Sequence, residues 1–265
     1  MTGGWQEADD ASEVALTGGT MTVGVVRVGD TVRRPVGRWT PAVHSLLRYL
    51  EEVGFEGAPR VLGIDEKGRE VLTYLPSDPE PNWSDEALAA VGRLVRQLQE
   101  ALADFVPPAG AVWRHTPLGQ RAPSPHVAHG DVCPVNTAYA GGVPYGFFDW
   151  DLAGPAAADF DVVSAAIGFT AIRPDPYWPR PGCPQPPDRI TRLRIFCDAY
   201  GVEDRLAMLD SIEAFLRAEL RDTLEFGRRG ISPFRTFLAR GEDHFRRLEL
   251  DWLARNHDAL VDALS

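Results

Sequence analysis

The stretch Val127–Asp151, VAHGDVCPVNTAYAGGVPYGFFDWD, organises the whole chain. It crowds one histidine, three aspartates and one asparagine into a region that otherwise reads as a β-hairpin. Thr137–Tyr139 and Tyr145–Phe148 make the two arms, joined across Ala140, Gly141 and Gly142, where glycines supply the backbone freedom a tight turn needs. Pairing the arms brings Asn136 and Asp149 to the same end. An amide oxygen and a carboxylate there are hard donors suited to Mg2+, which keeps several waters and completes its shell with substrate phosphates. Asp131, on the loop HGDVCPVN just before, remains available to accept a proton from an attacking hydroxyl. Metal-neutralised charge plus a carboxylate that orients a nucleophile is what phosphoryl transfer requires.

Upstream, VALTGGTMTVGVVRVGDTVRRP reads as three short strands, Val14–Leu16, Val23–Val28 and Thr31–Arg34, turning at Gly18-Gly19 and at Gly29-Asp30. The segment TPAVHSLLRYLEEVGF predicts a helix with Thr40 as its cap, Pro41 in the first turn and Gly54 past its end. Val43, Leu46, Leu47 and Leu50 form its apolar stripe. RVLGI and EVLTYLP follow as two more strands joined by a turn at Asp65–Gly68. Residues 1–12 are polar and glycine-bearing, a loose tail, and residues 13–76 make a five-stranded antiparallel lobe with one inserted helix.

Beyond a proline-rich boundary at Asp78–Trp83, residues 77–265 turn mainly helical. Ser84 caps a helix whose Leu88, Val91, Leu94, Val95, Leu98 and Leu102 make a regular stripe. Helical patterns return at Asp188–Tyr200, at Glu203–Phe226 and from Ser232 to the C-terminus, with a break at Gly241. RPDPYWPRPGCPQPPDR, residues 173–189, carries seven prolines in seventeen positions and so excludes helix or central strand, leaving a connector or a lid. No internal repeat is present.

Composition narrows the function. With 44% hydrophobic residues the 265-residue chain can bury a substantial core, and no apolar run is long enough to span a membrane. The N-terminus has neither a basic start nor an apolar stretch, which points to a cytoplasmic protein. Three well-separated cysteines without a CxxC pair suggest reduced thiols, and Cys133 reads as a packed small residue. A net charge of −11 disfavours nucleic-acid partners and suits a cationic small molecule, besides serving solubility.

HGDVCPVN followed by FFDWD resembles the HxDxxxxN and metal-aspartate signature of the aminoglycoside phosphotransferase and choline kinase group, relatives of protein kinases. The resemblance implies an α+β, two-lobed protein-kinase-like fold and an ATP- and Mg2+-dependent small-molecule kinase, with GTP as the other nucleotide. By it, Asp131 is the catalytic base, His129 shapes the loop, Asn136 and Asp149 hold the metal, and Asp161 supports the loop. Asp151 adds a distant ligand or a substrate contact. Thr17, Gly18 and Gly19 stand where such a fold places its phosphate-covering loop, and Thr73, Tyr74 and Leu75 stand where the hinge would bind the base. The acceptor is expected near Asp159, Glu242 and Asp243, and antibiotics of the aminoglycoside type or amino alcohols are its candidates. A monomer or homodimer is expected.

Two departures accompany the resemblance. The third strand carries Arg33 and Arg34 where the family has a lysine, and the helix carries His44 where the family has a glutamate. The family's pattern favours Arg33 at the phosphates, and His44 sits either beside them or as an ordinary helix histidine. The alternative to an enzyme is a nucleotide-binding pseudokinase or scaffold.

Overall fold

The computed structural model describes residues 12–16, 22–78, 82–114, 126–172, 175 and 185–265. The glycine turn with Thr17, Gly18 and Gly19, nearly all of the N-terminal tail and most of the proline-rich loop lie outside these residues. Strands β1 (Val14–Ala15), β2 (Val26–Val28), β3 (Thr31–Pro35), β4 (Val61–Ile64) and β5 (Arg69–Thr73) form one antiparallel sheet in the order β1-β2-β3-β5-β4. β2 starts at Val26 rather than Val23, because Gly24 turns to φ 85° and interrupts the extended run.

Helix α1 (Thr40–Glu52) lies between β3 and β4 in sequence. Trp39, not Thr40, occupies its cap position; the Thr40 hydroxyl instead accepts from the Gly37 N–H at 2.9 Å and closes the turn leading in. Leu46, Leu47 and Leu50 are completely buried, each contributing about 2 kcal/mol of apolar transfer.

The larger lobe opens with α2 (Asp85–Leu102), capped by the Ser84 hydroxyl, which accepts from the Ala87 N–H at 3.2 Å. All six positions of its expected stripe are buried. Then come β6 (Val127–Ala128), β7 (Thr137–Ala140), β8 (Val143–Phe147) and β9 (Gly154–Pro155), with β6 pairing β9 and β7 pairing β8. Gly141 and Gly142, at φ 60° and 74°, make the tip of the β7–β8 hairpin, the left-handed pair that a two-residue turn requires.

Five helices complete the described part of the lobe: α3 (Phe160–Thr170), α4 (Arg189–Tyr200), α5 (Arg205–Arg228), α6 (Phe234–Ala239) and α7 (Glu242–Leu264). The sequence reading did not find α3. FDVVSAAIGFT is apolar nearly all round, so it has no polar face to produce the 3.6-residue alternation, and the helix packs against α2, α4 and α5. No helix among the described residues is long and apolar enough to cross a membrane.

The segment after β5 is stitched to the hairpin and sets how the sheet meets the helical lobe. The Tyr139 N–H donates to Ser77 Oγ at 3.1 Å, the Asp78 N–H to the Tyr139 carbonyl at 2.9 Å, and the Gly142 N–H to Asp78 Oδ2 at 2.9 Å. The Tyr145 hydroxyl donates to the Pro76 carbonyl, and the Phe147 N–H reaches the Gly57 carbonyl, just before β4, at 2.7 Å.

Candidate active site

The loop after β6 is held from beneath. Gly130 sits at φ 86°, where a Cβ would lie 2.1 Å from the Leu152 carbonyl oxygen, so a side chain is excluded both by conformation and by space. The Asp161 carboxylate, from the first turn of α3, accepts the backbone N–H groups of His129 at 2.7 Å and Gly130 at 3.0 Å. The fully buried His129 ring lies 4.4 Å from the Trp150 ring centroid. Its Nδ1 accepts from the Asp131 N–H at 3.2 Å, which leaves Nε2–H to donate to the Phe148 carbonyl at 3.1 Å. His129 therefore ties the loop to the strand end before Asp149 and does not itself open onto the cleft.

Burial lowers the His129 pKa from 6.5 to about 4 and raises that of Asp161 from 3.8 to about 6, the latter against the pull of its two backbone hydrogen bonds. The two act oppositely on stability. As pH falls from about 6.5 to about 4, the unfolded chain protonates His129 while the folded protein does not, and stability is lost. From about 6 to 3.8 the folded protein protonates Asp161 before the unfolded chain does, and stability is gained. Between about pH 7 and 4.5 each effect amounts to about 2 kcal/mol, so the pair nearly cancels. Asp161→Asn is expected to become progressively less stable than the unmodified protein on acidification, and the deficit of His129→Gln to shrink. Urea unfolding at the two pH values checks both; parallel pH profiles for all three proteins would contradict this.

Asn136 ends a single 3-10 turn at Pro134–Asn136, and its Nδ2 donates to Asp131 Oδ2 at 2.7 Å and to the Asp131 carbonyl at 3.0 Å. With the amide nitrogen committed to Asp131, the amide oxygen is the remaining donor atom. The Phe148 N–H bonds the Asn136 carbonyl at 2.9 Å, bringing the end of β8 beside Asn136. Asp149 follows in the left-handed region at φ 62°, ψ 63°, a conformation that non-glycine residues adopt at a cost and that clusters at functional sites.

Burial raises the Asp131 pKa, with the Asp149 charge adding to the rise and the Asn136 amide opposing it, which moves the carboxylate toward the range useful to a base. Cys133 Sγ lies 3.7 Å from Asp131 Oδ1; burial and that carboxylate push its pKa up, so it stays a thiol. Among the described residues no group of three or more His, Cys, Asp or Glu side chains is arranged to hold a metal. The donor set at hand, one amide oxygen and one carboxylate, fits Mg2+ with phosphates completing the shell better than it fits an all-protein cage.

Of the two β3 arginines it is Arg34, and not Arg33, that faces Asp149. Arg33 points to the outer side, where Nη1 lies 3.6 Å from Asp65 Oδ2. Arg34 faces Asp149: Nη2 lies 3.2 Å from Asp149 Oδ1 and also pairs with Asp151, while Nε lies 3.2 Å from Glu70 Oε1. The reason is strand alternation. The face of β3 and β5 that carries Arg34, Glu70 and Leu72 is the one covered by α1, since His44 of α1 meets Glu70 and Leu72 joins the core of Val43 and Leu46. Burial opposes the charge on Arg34, but Asp151, Asp149 and Glu70 outweigh it and raise its pKa.

Asp151, expected as a metal ligand or substrate contact, is buried and engaged by protein donors. It accepts from Thr22 Oγ1 at 2.6 Å, Trp39 Nε1 at 3.0 Å and Arg114 Nη1 at 2.8 Å besides Arg34. Arg114 also stacks over Trp39 at 4.6 Å. Thr22, Trp39 and Arg114 carry no local signal of this convergence, which joins segments more than thirty residues apart.

Thr73 ends β5 and the Tyr74 N–H bonds the Asp30 carbonyl at 2.8 Å, with Arg27 over the Tyr74 ring at 4.0 Å. Leu75 follows, half-buried. The acids expected near an acceptor separate. Glu242 and Asp243 lie in the first turn of α7, where Asp243 pairs with Arg247 at 3.6 Å. Asp159 precedes α3, beside Tyr200, whose pKa it helps to raise. Glu219 of α5, absent from the expected set, pairs with Arg246 at 2.8 Å, and Arg246 also meets Glu249. Burial raises the Glu219 pKa; Arg246 opposes the rise, and Glu249, Asp131 and Glu242 add to it.

The family model for the phosphotransferase enzyme family matches residues 27–208. The trifolitoxin immunity protein of Rhizobium leguminosarum bv. trifolii is 36% identical over 211 residues, spanning 77% of this chain and 80% of that protein. Among solved structures, the microcompartment-associated aminopropanol kinase superposes with a TM-score of 0.63 at 13% identity, covering 99% of this chain and 96% of that one. The GDP complex of wild-type aminoglycoside 2'-phosphotransferase-IIIa gives a TM-score of 0.60 at 14% identity over 97% and 93% of the two chains. The family match covers more than half of the chain and the kinase-like fold agrees with it: this chain belongs to the phosphotransferase enzyme family.

Proposed function

We propose that this chain transfers a phosphoryl group from ATP, or from GTP, to a hydroxyl of a cationic small molecule, with Asp131 as the base. The observation that carries the proposal is the Asp131–Asn136–Asp149 arrangement: a carboxylate with a raised pKa, steadied by an amide, with a second carboxylate close enough to act on it. Asn136 and Asp149 would hold Mg2+, which when bound neutralises charge on the transferring group. Asp131 receives the acceptor's hydroxyl proton at a carboxylate oxygen, and Asn136 keeps that carboxylate aimed. Arg34 contributes a planar, permanently charged group on the nucleotide side. The backbone of Thr73–Leu75 meets the base.

The chain's net charge of −11 and Glu242 in the first turn of α7 favour an acceptor bearing ammonium groups. The relative's name, an immunity protein for trifolitoxin, supports a role in which phosphorylation disarms a toxic compound in the cytoplasm. A second reading, a nucleotide-binding protein with weak catalysis, draws on Arg34, whose guanidinium engages the same Asp149 carboxylate that would hold the metal.

The test is a panel of hydroxylated cations incubated with Mg-ATP or Mg-GTP and read by the mass gain of one phosphoryl group. A product is expected from a cationic acceptor, with KM rising as salt is added. Nucleotide binding by calorimetry without any transfer would favour the second reading; no nucleotide binding would sink both.

A further inference from the structure

Arg34 and Glu70 stand directly opposite each other in the β3–β5 register, and both are buried, at 6% and 3% exposure. Glu70 Oε1 lies 3.2 Å from Arg34 Nε, and Glu70 Oε2 lies 2.8 Å from Nε2 of His44, itself buried on α1. Both oxygens of one carboxylate are thus engaged on opposite sides, which restricts the Glu70 side chain to one placement. The guanidinium is held there by charge, Nε itself making no hydrogen bond among the described residues, and its Nη2 end pairs with Asp151 and is directed at Asp149.

Resting on the nucleotide-site reading above, we propose that Glu70 is the positioning residue for Arg34 and that His44 braces Glu70, so that the ion pair at this site runs from strand to strand with α1 joined to it through a histidine. A buried ion pair is a weak stabiliser, because desolvation offsets most of the attraction and apolar replacements are often as stable. Its orientation toward the cleft gives it another use: a guanidinium fixed at one edge meets a phosphate without first losing side-chain freedom. The helix position facing the sheet carries an imidazole, and the carboxylate that such an arginine needs comes instead from the neighbouring strand.

A double-mutant cycle on Mg-nucleotide affinity, measured by calorimetry, tests this, with the unmodified protein, Glu70→Gln, Arg34→Ala and the pair. Glu70→Gln is expected to weaken nucleotide binding by about tenfold, because the neutral amide no longer attracts the guanidinium, with acceptor KM unchanged. In the Arg34→Ala background the same change is expected to have almost no effect, because Glu70 acts through Arg34. Full additivity, or unchanged affinity in Glu70→Gln, would overturn the proposal. If Glu70→Gln proves too unstable to assay, His44→Leu decides, since it keeps the ion pair and removes the brace's donor: weaker nucleotide binding with unchanged acceptor KM supports the proposal, and unaltered binding overturns it. Absence of Mg-nucleotide binding in the unmodified protein would be a failure of the nucleotide-site reading instead, and the cycle separates the two.

Discussion

Asp131→Asn is expected to lower kcat by about 10²-fold or more, the contribution of a positioned base, while leaving Mg-nucleotide affinity within a factor of about three. The geometry argues for this separation. The substituted carboxamide would keep an oxygen for the Asn136 amide, which now donates to Asp131 Oδ2 at 2.7 Å, so the loop retains its shape. What disappears is the proton-accepting carboxylate. Its removal also takes a charge out of a buried position beside Asp149, so the variant should melt no lower than the unmodified protein. The measurements are nucleotide calorimetry, steady-state kinetics once an acceptor is known, and thermal unfolding. Turnover within a few-fold of the unmodified protein would remove Asp131 from the role of base.

Asp149→Asn should produce the complementary pattern. Asparagine tolerates the left-handed backbone that Asp149 adopts at φ 62°, and it keeps an oxygen for Arg34. The fold should therefore change in stability by less than about 1 kcal/mol. The loss is the negative charge that would hold Mg2+. The Mg2+-dependent part of nucleotide affinity is expected to fall by about tenfold or more, together with kcat. Titrating nucleotide with and without Mg2+ reads this directly. If the variant gains as much affinity from Mg2+ as the unmodified protein does, Asp149 is not a metal ligand, and its strained backbone needs another explanation.

Much of the architecture was legible because it is written in local patterns. The stripe of Leu88 to Leu102 has the helical period, Ser84 caps it, and glycines mark the hairpin tip at Gly141-Gly142. The spacing from Asp131 to Asn136 to Asp149 is equally local: one short loop and one hairpin bring the three together, and the Phe148–Asn136 backbone bond is part of that hairpin's end. The helix Phe160–Thr170 escaped detection for the matching reason. Packed against α2, α4 and α5, it is apolar on nearly every side, and without a polar face such a helix leaves no periodic trace.

The arginine that faces the cleft belongs to a different order of information. Alternation says that Arg33 and Arg34 point to opposite faces, but not which face α1 will cover. That is set by pairing β3 with β5, strands separated by a helix and another strand, and by the His44 contact that seats Glu70 beneath α1. Asp151 is the extreme case: its partners Thr22, Arg34, Trp39 and Arg114 come from segments that only the docking of the sheet against the helical lobe brings together. The elements, the two-lobed plan and the grouping of Asp131, Asn136 and Asp149 follow from the order of residues, because periodicity, capping and short spacing act over one or two turns of chain. Which charged side chains face one another across the cleft follows only from the packed molecule. Burial and charge compensation depend on what distant segments contribute, and a charge is tolerated inside only where such partners converge.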